Sequence, residues 1–152
     1  MALKDQLLED LKAAMKAKDE VAKLTLRSLK SDLAKKEVEL GRDLDEKEEI
    51  ALLSSAVKSR RDSVSEYEKA ERKDLADAER AEIAVIERYL PAQLDEQEAR
   101  AAIESLAKEL GVSEKKQMGQ LMNAVMERYR GQIDGKQASR IAAGLQIGRA
   151  HV

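Results

Sequence analysis

The chain has 152 residues, of which 38% are charged and 43% hydrophobic, and its formal net charge is −2. It contains no cysteine, which excludes disulfides, thiolate nucleophiles and cysteine-based zinc sites. Such a small net charge does not by itself indicate a polyanionic partner. Aromatic residues make up only 2%, so the core must be built from Leu, Ile, Val, Ala and Met.

Helical periodicity begins at the start of the chain. Apolar residues at three- and four-residue intervals predict a first helix over residues 3–15. Asp19 has the character of an N-cap, and a second helix is expected from there until Gly41 ends it. Asp45 with Glu48 three residues later has the pattern of a capping box, which predicts the start of a long third helix.

The third helix carries an arginine on its apolar seam. Arg60 stands where the next apolar residue is expected, so its side chain should either reach the rim or meet a carboxylate. Residues 71–74 predict a break, and a fourth helix then runs to Pro91. Proline lacks an N–H and disfavours helix in the residue before it, which predicts a domain boundary at this point.

Three shorter helices are predicted beyond Pro91. They begin at Asp95, near Met118 and at Asp134, and Gly111 and Gly131 end the first two. We therefore expect an all-α protein: an N-terminal helical domain of about four helices over residues 1–92, and a three-helix tail domain over residues 93–146. Residues 147–152 leave the helical pattern and resemble a translated sequencing adapter, so we interpret them as artefactual.

The sequence predicts a cytoplasmic protein with no membrane partner. No apolar run approaches the ~20 residues of a membrane-spanning helix. The N-terminus becomes acidic within a few residues, unlike a secretory signal peptide.

No catalytic centre, metal site or cofactor site is expected. The one histidine, His151, lies in the anomalous tail, and a Ser–Lys arrangement such as Ser31 with Lys35 is more typical of a solvated helix face. The phosphate-binding pattern Gly-x-x-x-x-Gly-Lys-Ser/Thr is missing. Binding or adaptor roles fit this chemistry better than catalysis.

Charge is distributed unevenly along the chain, and the tail domain carries a basic segment. Residues 115–140 contain six bases against two acids, a net charge of +4. A segment of this kind is either a solvated helical surface or a nucleic-acid contact. On the second helix Lys23, Arg27 and Lys30 recur at helical spacing, which is typical of a solvated face and, as the alternative, of a site for an anionic partner.

Several strings, taken in order, resemble the GatB/YqeY family over roughly residues 3–146. The strings are LRSLKS (26–31), RRDS (60–63), YEKAERKDL (67–75), AEI (81–83), YLPAQL (89–94), MGQLM (118–122) and GQIDGK (131–136). The resemblance is to a free-standing member of that family.

The resemblance implies a helical domain joined to a tail domain, as found at the C-terminus of the B subunit of the tRNA-dependent Glu/Asp amidotransferase. In that enzyme these domains help to hold the tRNA, while kinase and transamidation chemistry belong to other parts. The family label, carbon–nitrogen ligase with glutamine as amido donor, would then describe membership rather than an activity of this chain.

The resemblance also suggests roles for particular residues. The expected RNA contacts are the bases beside the tail motifs: Lys115, Lys116, Arg128, Arg130, Lys136 and Arg140. The motif turn residues are Gly119, Gly131, Asp134 and Gly135. The N-terminal motif residues Arg27, Arg61, Arg72 and Asp74 are interpreted as a buried network of ion pairs that fixes the helix packing.

Three functions remain open from the sequence. The first is an accessory protein that binds tRNA or another structured RNA. The second is a helical adaptor between proteins, with a protein of the translation machinery as the expected partner. The third, ranked last, is an amidotransferase-type enzyme that acts alone.

Overall fold

The structure of the protein, a computed structural model, describes residues 2–145. Within this range it contains seven α-helices and no strand, which confirms the all-α class. The predictions for residue 146 and for residues 147–152 lie outside the described residues. The chain divides into two compact units, Met1–Leu90 and Pro91–Val152. The domain limits at residues 92 and 146 stay predictions.

Four helices form the first unit. They are α1 (Leu3–Ala17), α2 (Glu20–Leu40), α3 (Glu46–Lys69) and α4 (Lys73–Glu87). One apolar core joins all four, with Leu7, Leu29, Leu53 and Ile86 buried at its centre. Helix α1 packs on α2 and α3 packs on α4.

The predicted starts of α2 and α3 and the predicted end of α2 are confirmed, whereas α4 ends at Glu87 and does not continue to Pro91. The Asp19 carboxylate accepts a hydrogen bond from the Ala22 N–H, and Asp45 forms a reciprocal capping box with Glu48. Gly41 ends α2 with a left-handed backbone, φ 69°, which glycine adopts without steric cost. Local side-chain chemistry therefore fixes these boundaries before tertiary packing contributes.

Two interhelical turns contain residues whose left-handed backbone the sequence patterns did not predict. Lys18 between α1 and α2 has φ 57°, and Glu71 between α3 and α4 has φ 58°. Both residues carry a Cβ, which is crowded in the left-handed region. The helical hairpins close despite this cost because packing of the paired helices dictates the turn.

The arginine on the apolar seam of α3 meets a carboxylate, which was one of the two predicted outcomes. Arg60 donates through Nε to Glu82 of α4 at 3.0 Å and through a terminal nitrogen to the Ala56 carbonyl at 3.1 Å. The nearby Glu79 has a raised pKa, mainly because burial disfavours its charged form and also because Glu82 lies near. Arg60 thus joins α3 to α4.

The second unit contains α5 (Glu96–Leu110), α6 (Met118–Arg128) and α7 (Gly135–Ala143). A 3₁₀ turn over Lys115–Gln117, which no sequence pattern predicted, precedes α6. At the predicted start of α5, Asp95 forms a capping box with Glu98, and Asp134 caps α7 through the Gln137 N–H. The buried core of the unit is centred on Ile103, Leu106, Leu121, Val125 and Ile141.

Replacing Glu71 by glycine should stabilise the protein. Release of the left-handed strain recovers about 1–2 kcal/mol, and the greater unfolded-state entropy of glycine offsets about 0.5–1 kcal/mol of this. We expect a net gain of about 0.5–1 kcal/mol in the free energy of unfolding, measured by urea denaturation. The control Glu71→Ala keeps the Cβ and should show no gain; an equal gain in that variant would contradict the explanation.

The carboxyl of Glu48 should contribute to acid unfolding. Its hydrogen bonds with Arg42, and with the Asp45 N–H, lower its pKa from 4.5 to about 2. A carboxyl with a lowered folded-state pKa stabilises the fold above its unfolded pKa, and this stabilisation is lost as the pH falls from about 4.5 to about 2. The Glu48→Gln variant should therefore show a shallower loss of stability over that interval in acid titrations followed by circular dichroism. Glu46→Gln, which removes a charge from the same helix turn, serves as control and should leave the slope unchanged.

Candidate nucleic-acid interface

The six expected RNA-contact residues of the tail domain all lie in or beside α6 and α7. Lys115 and Lys116 belong to the 3₁₀ turn, Arg128 is the last residue of α6, and Arg130 follows it. Lys136 and Arg140 lie on α7. Most of these side chains are exposed, as a nucleic-acid contact requires, and Arg130 is half-buried.

Carboxylates form ion pairs with Lys116, Arg128, Arg130 and Arg140. Two of the pairs connect helices: Arg128 donates two hydrogen bonds to Glu109 of α5, at 2.7 and 3.2 Å, and Arg140 donates one to Glu96 at 3.0 Å. Mutual hydrogen bonding lowers the pKa of Glu109 and raises that of Arg128. Two local pairs complete the set: Arg130 with Glu127 at 2.6 Å and Lys116 with Glu114 at 3.1 Å.

The two interhelical pairs lie far apart on α5. Glu96 and Glu109 are separated by thirteen positions, which corresponds to about 20 Å along the helix axis and about 140° around it. Arg128 and Arg140 therefore do not belong to one patch. Over residues 91–145, eight bases are balanced by eight acids, so the local positive charge of residues 115–140 is compensated by the acids of α5 together with Asp95 and Glu114.

The motif turn of the tail domain serves the fold of that unit. Gly131 has φ 77°, and its carbonyl accepts a hydrogen bond from the Gln93 side chain. The neighbouring Gln132 carbonyl accepts from the Leu94 N–H at 3.0 Å. Asp134 caps α7, and a Cβ placed at Gly119 or at Gly135 would meet no neighbouring atom within 4 Å.

The buried ion-pair network expected for the N-terminal motif is wrong. Arg72 and Asp74 pair with each other at 3.2 Å, but both side chains are exposed because they flank the turn into α4. Arg61 reaches Glu87 of α4 at 3.4 Å at the edge of the α3–α4 contact. Arg27 is exposed and has no carboxylate partner among residues 2–145. The arginine that forms the less exposed interhelical pair is Arg60, which binds Glu82.

A second basic region lies on α1 and α2, near the turn that joins them. Residues 11–30 carry six bases against two acids. One of these acids, Asp19, is engaged as the N-cap of α2, and the other, Glu20, pairs with Lys23 at 3.0 Å. No carboxylate of the described chain lies within ion-pair distance of the other five bases, which are Lys12, Lys16, Lys18, Arg27 and Lys30. The positive charge here is not compensated as it is in the tail domain.

The contact between α1 and α2 brings these cations onto one face. Lys4 of α1 binds Glu37 of α2 at 3.4 Å, which marks the edges by which the two helices face each other. Lys30 and Lys23 precede Glu37 at seven-residue intervals and so lie on the same edge of α2. Arg27 lies between Lys23 and Lys30 along the axis of α2. On α1, Lys12 and Lys16 lie on the solvent side of the edge that carries Lys4.

Exposed apolar side chains accompany these cations. Leu8 and Met15 follow Lys4 along the same edge of α1 and are 40% and 50% exposed; Leu24 of α2 is 60% exposed. We call the whole set the α1–α2 surface: Lys12, Lys16, Lys23, Arg27 and Lys30 together with Leu8, Met15 and Leu24. Three of its cations, Lys23, Arg27 and Lys30, were predicted from their helical spacing, whereas Lys12 and Lys16 of α1 were not.

The first unit also has a groove between α2 and α3. Its wall includes Asp32, Lys36, Leu52, Ser59 and Arg60. Two acids, Asp32 and Glu48, and two bases, Lys36 and Arg60, line it, and Arg60 is already bound to Glu82 and Ala56. The groove therefore presents no field of one sign to a charged ligand.

Neither a metal-binding cluster nor a membrane-spanning helix is found in residues 2–145. No group of three His, Cys, Asp or Glu side chains in this range could hold a metal ion. Among its helices, none is both long and apolar enough to cross a membrane.

Curated relatives of the chain come from yeasts and share one name, altered inheritance of mitochondria protein 41, mitochondrial. The protein from Lachancea thermotolerans is 44% identical over 85 residues, 55% of this chain and 46% of the relative. Those from Kluyveromyces lactis and Saccharomyces cerevisiae are each 38% identical, over 84 and 82 residues, and the match covers 45% and 44% of their length. The matched stretch thus spans less than half of each relative. Their name places these relatives in mitochondria, and the cytoplasmic location expected for this chain stays a prediction.

The family comparison extends over almost the whole chain. A family model described as Yqey-like protein matches residues 4–144. This match confirms the resemblance that the ordered motifs indicated, and it includes every residue of the α1–α2 surface. The chain therefore belongs to the Yqey-like protein family.

Proposed function

We propose that the chain is an accessory protein that binds structured RNA, with tRNA as the expected class, and that it forms no bonds itself. The observation that carries the proposal is the α1–α2 surface, where Lys12, Lys16, Arg27 and Lys30 lack carboxylate partners within the described residues. Phosphate groups are the ligands that such a set of lysines and an arginine can bind together.

The resemblance to the tRNA-holding domains of the amidotransferase B subunit supports the choice of RNA. Structured RNA is recognised largely through its shape and its backbone, which requires spaced cations rather than a deep pocket. The expected cations of the tail domain, Arg128 and Arg140 among them, would be secondary contacts under this proposal. Each would have to exchange a carboxylate for a phosphate, so its net contribution to affinity would be small.

Binding of unmodified tRNA should depend on the α1–α2 surface and on salt. With about four phosphate contacts, the affinity should fall about 100-fold between about 50 and 200 mM salt. The double variant Lys12→Glu/Arg27→Glu should bind at least tenfold more weakly and with a shallower salt dependence, because each lost phosphate contact lowers the slope by about one. Fluorescence anisotropy with end-labelled tRNA measures both quantities.

Two variants serve as controls for this experiment. Lys58→Glu reverses an exposed charge on α3 and should leave the affinity within about twofold, while Arg128→Glu/Arg140→Glu tests the tail domain. Absence of tRNA binding at low salt would remove the proposal. A larger loss in the tail-domain variant than in Lys12→Glu/Arg27→Glu would transfer the site to the tail domain.

A protein adaptor is the second candidate, and the outer face of α2 favours it. Val38 is 82% exposed and lines a shallow depression with Ser31, Ala34 and Lys35, and Leu24 is exposed farther along the helix. Exposed apolar side chains on one helix face are a common feature of protein-binding surfaces.

Absorbance of the purified protein distinguishes the two candidates. The chain has three tyrosines and no tryptophan, so its own absorbance at 280 nm is weak and even a small amount of bound RNA dominates the ratio at 260 and 280 nm. The RNA proposal predicts a raised ratio after purification at low salt, which falls when RNase and high salt are applied. An adaptor predicts the ratio of free protein together with a co-purifying polypeptide.

A further inference from the structure

The cations of the α1–α2 surface form two rows, one on each helix. Lys12 and Lys16 are one helical turn apart on α1, about 6 Å along its axis. Lys23, Arg27 and Lys30 extend over about 10 Å of α2. Because the axes of packed helices lie about 8–10 Å apart, the two rows project from neighbouring helices whose axes have roughly that separation.

Apolar side chains lie between the rows. Leu8 and Met15 occupy the edge of α1 that faces α2, as their spacing from Lys4 shows, and both remain exposed. A single extended RNA strand would bind one row of cations and leave the second row without a phosphate partner. A duplex offers two backbones with a groove between them, which matches two rows with an uncharged strip between them.

The aromatic residues of the protein lie elsewhere. Tyr67 is on α3, Tyr89 packs on the core of the first unit while its hydroxyl donates to Asp10, and Tyr129 packs on the core of the second. These three are all the aromatic residues that the sequence contains. Recognition of single strands usually depends on aromatic side chains that stack on bases. The α1–α2 surface presents aliphatic side chains instead, which suit the sugar edges of a wide, shallow groove.

We infer that the α1–α2 surface recognises the double-stranded stems of its RNA, with one backbone bound by the α1 row, the other by the α2 row, and Leu8 and Met15 against the shallow minor groove. The inference rests on the proposed function and narrows its ligand to A-form duplex, bound without regard to base sequence. The minor groove of such a duplex is wide and displays the ribose hydroxyls, so a B-form DNA duplex should fit less well.

The test compares four labelled probes with the full chain: a hairpin of about 16 RNA base pairs, a second hairpin of unrelated sequence, an unpaired RNA of the same length, and a DNA duplex. We expect the two hairpins to bind equally and at least tenfold more tightly than the unpaired strand, with the DNA duplex weaker than the RNA hairpins. Unmodified tRNA is included as the reference ligand.

Single-row variants test the two-row arrangement. Lys12→Glu on α1 and Arg27→Glu on α2 should each weaken hairpin binding severalfold and lower the salt slope by about one, whereas Lys58→Glu should change neither. Circular dichroism confirms that each variant is folded. If only Arg27→Glu weakened hairpin binding, the surface would contact a single RNA backbone, and this result would overturn the inference.

The outcomes separate the inference from the proposed function. Binding of tRNA with equal or tighter binding of the unpaired strand, or with no binding of either hairpin, overturns duplex recognition and leaves the proposed function standing. Failure of tRNA itself to bind overturns both. Equal binding of DNA and RNA duplexes overturns the assignment to the A-form groove.

Discussion

The antiparallel contact of α1 with α2 determines the functional surface of this protein. The buried leucines Leu7, Leu11, Leu26 and Leu29 hold the two helices together, and the Lys4–Glu37 pair shows which edges meet. This contact places Lys12 and Arg27 on neighbouring helices, although fifteen positions separate them in the sequence. Without it, the same cations would be distributed over two independent helices and could not act as a unit.

Charge composition alone does not identify such a surface, because what counts is where the opposite charges lie. Residues 11–30 and residues 115–140 have the same net charge of +4. In the tail domain, acids from α5 bind Arg128 and Arg140, so the charge is largely compensated within the unit. In the first unit, one acid is used as a helix cap and another pairs with a single lysine, so the remaining cations are available to a ligand. The position of α5 could not be read from the charge of residues 115–140.

Local chemistry explains which parts of the fold were predictable. The N-caps at Asp19, Asp45, Asp95 and Asp134 and the terminating glycines act within one helical turn, so the sequence predicts them well. Lys18 and Glu71 were not predicted as left-handed turn residues because their own preferences oppose that conformation and the packing of the helical hairpins overrides them. Arg72 and Asp74 were placed in a buried network from their motif, yet a pair two residues apart beside a turn stays in solvent.

The α1–α2 surface, rather than the tail domain, is proposed to receive the RNA, and the other functional conclusions depend on this assignment. Backbone amide chemical shifts, recorded on the full chain while an RNA hairpin is added, test the assignment residue by residue. If it is correct, the largest changes occur over residues 8–30, and residues 109–140 change little. Changes concentrated in residues 109–140, with residues 8–30 unaffected, would contradict it.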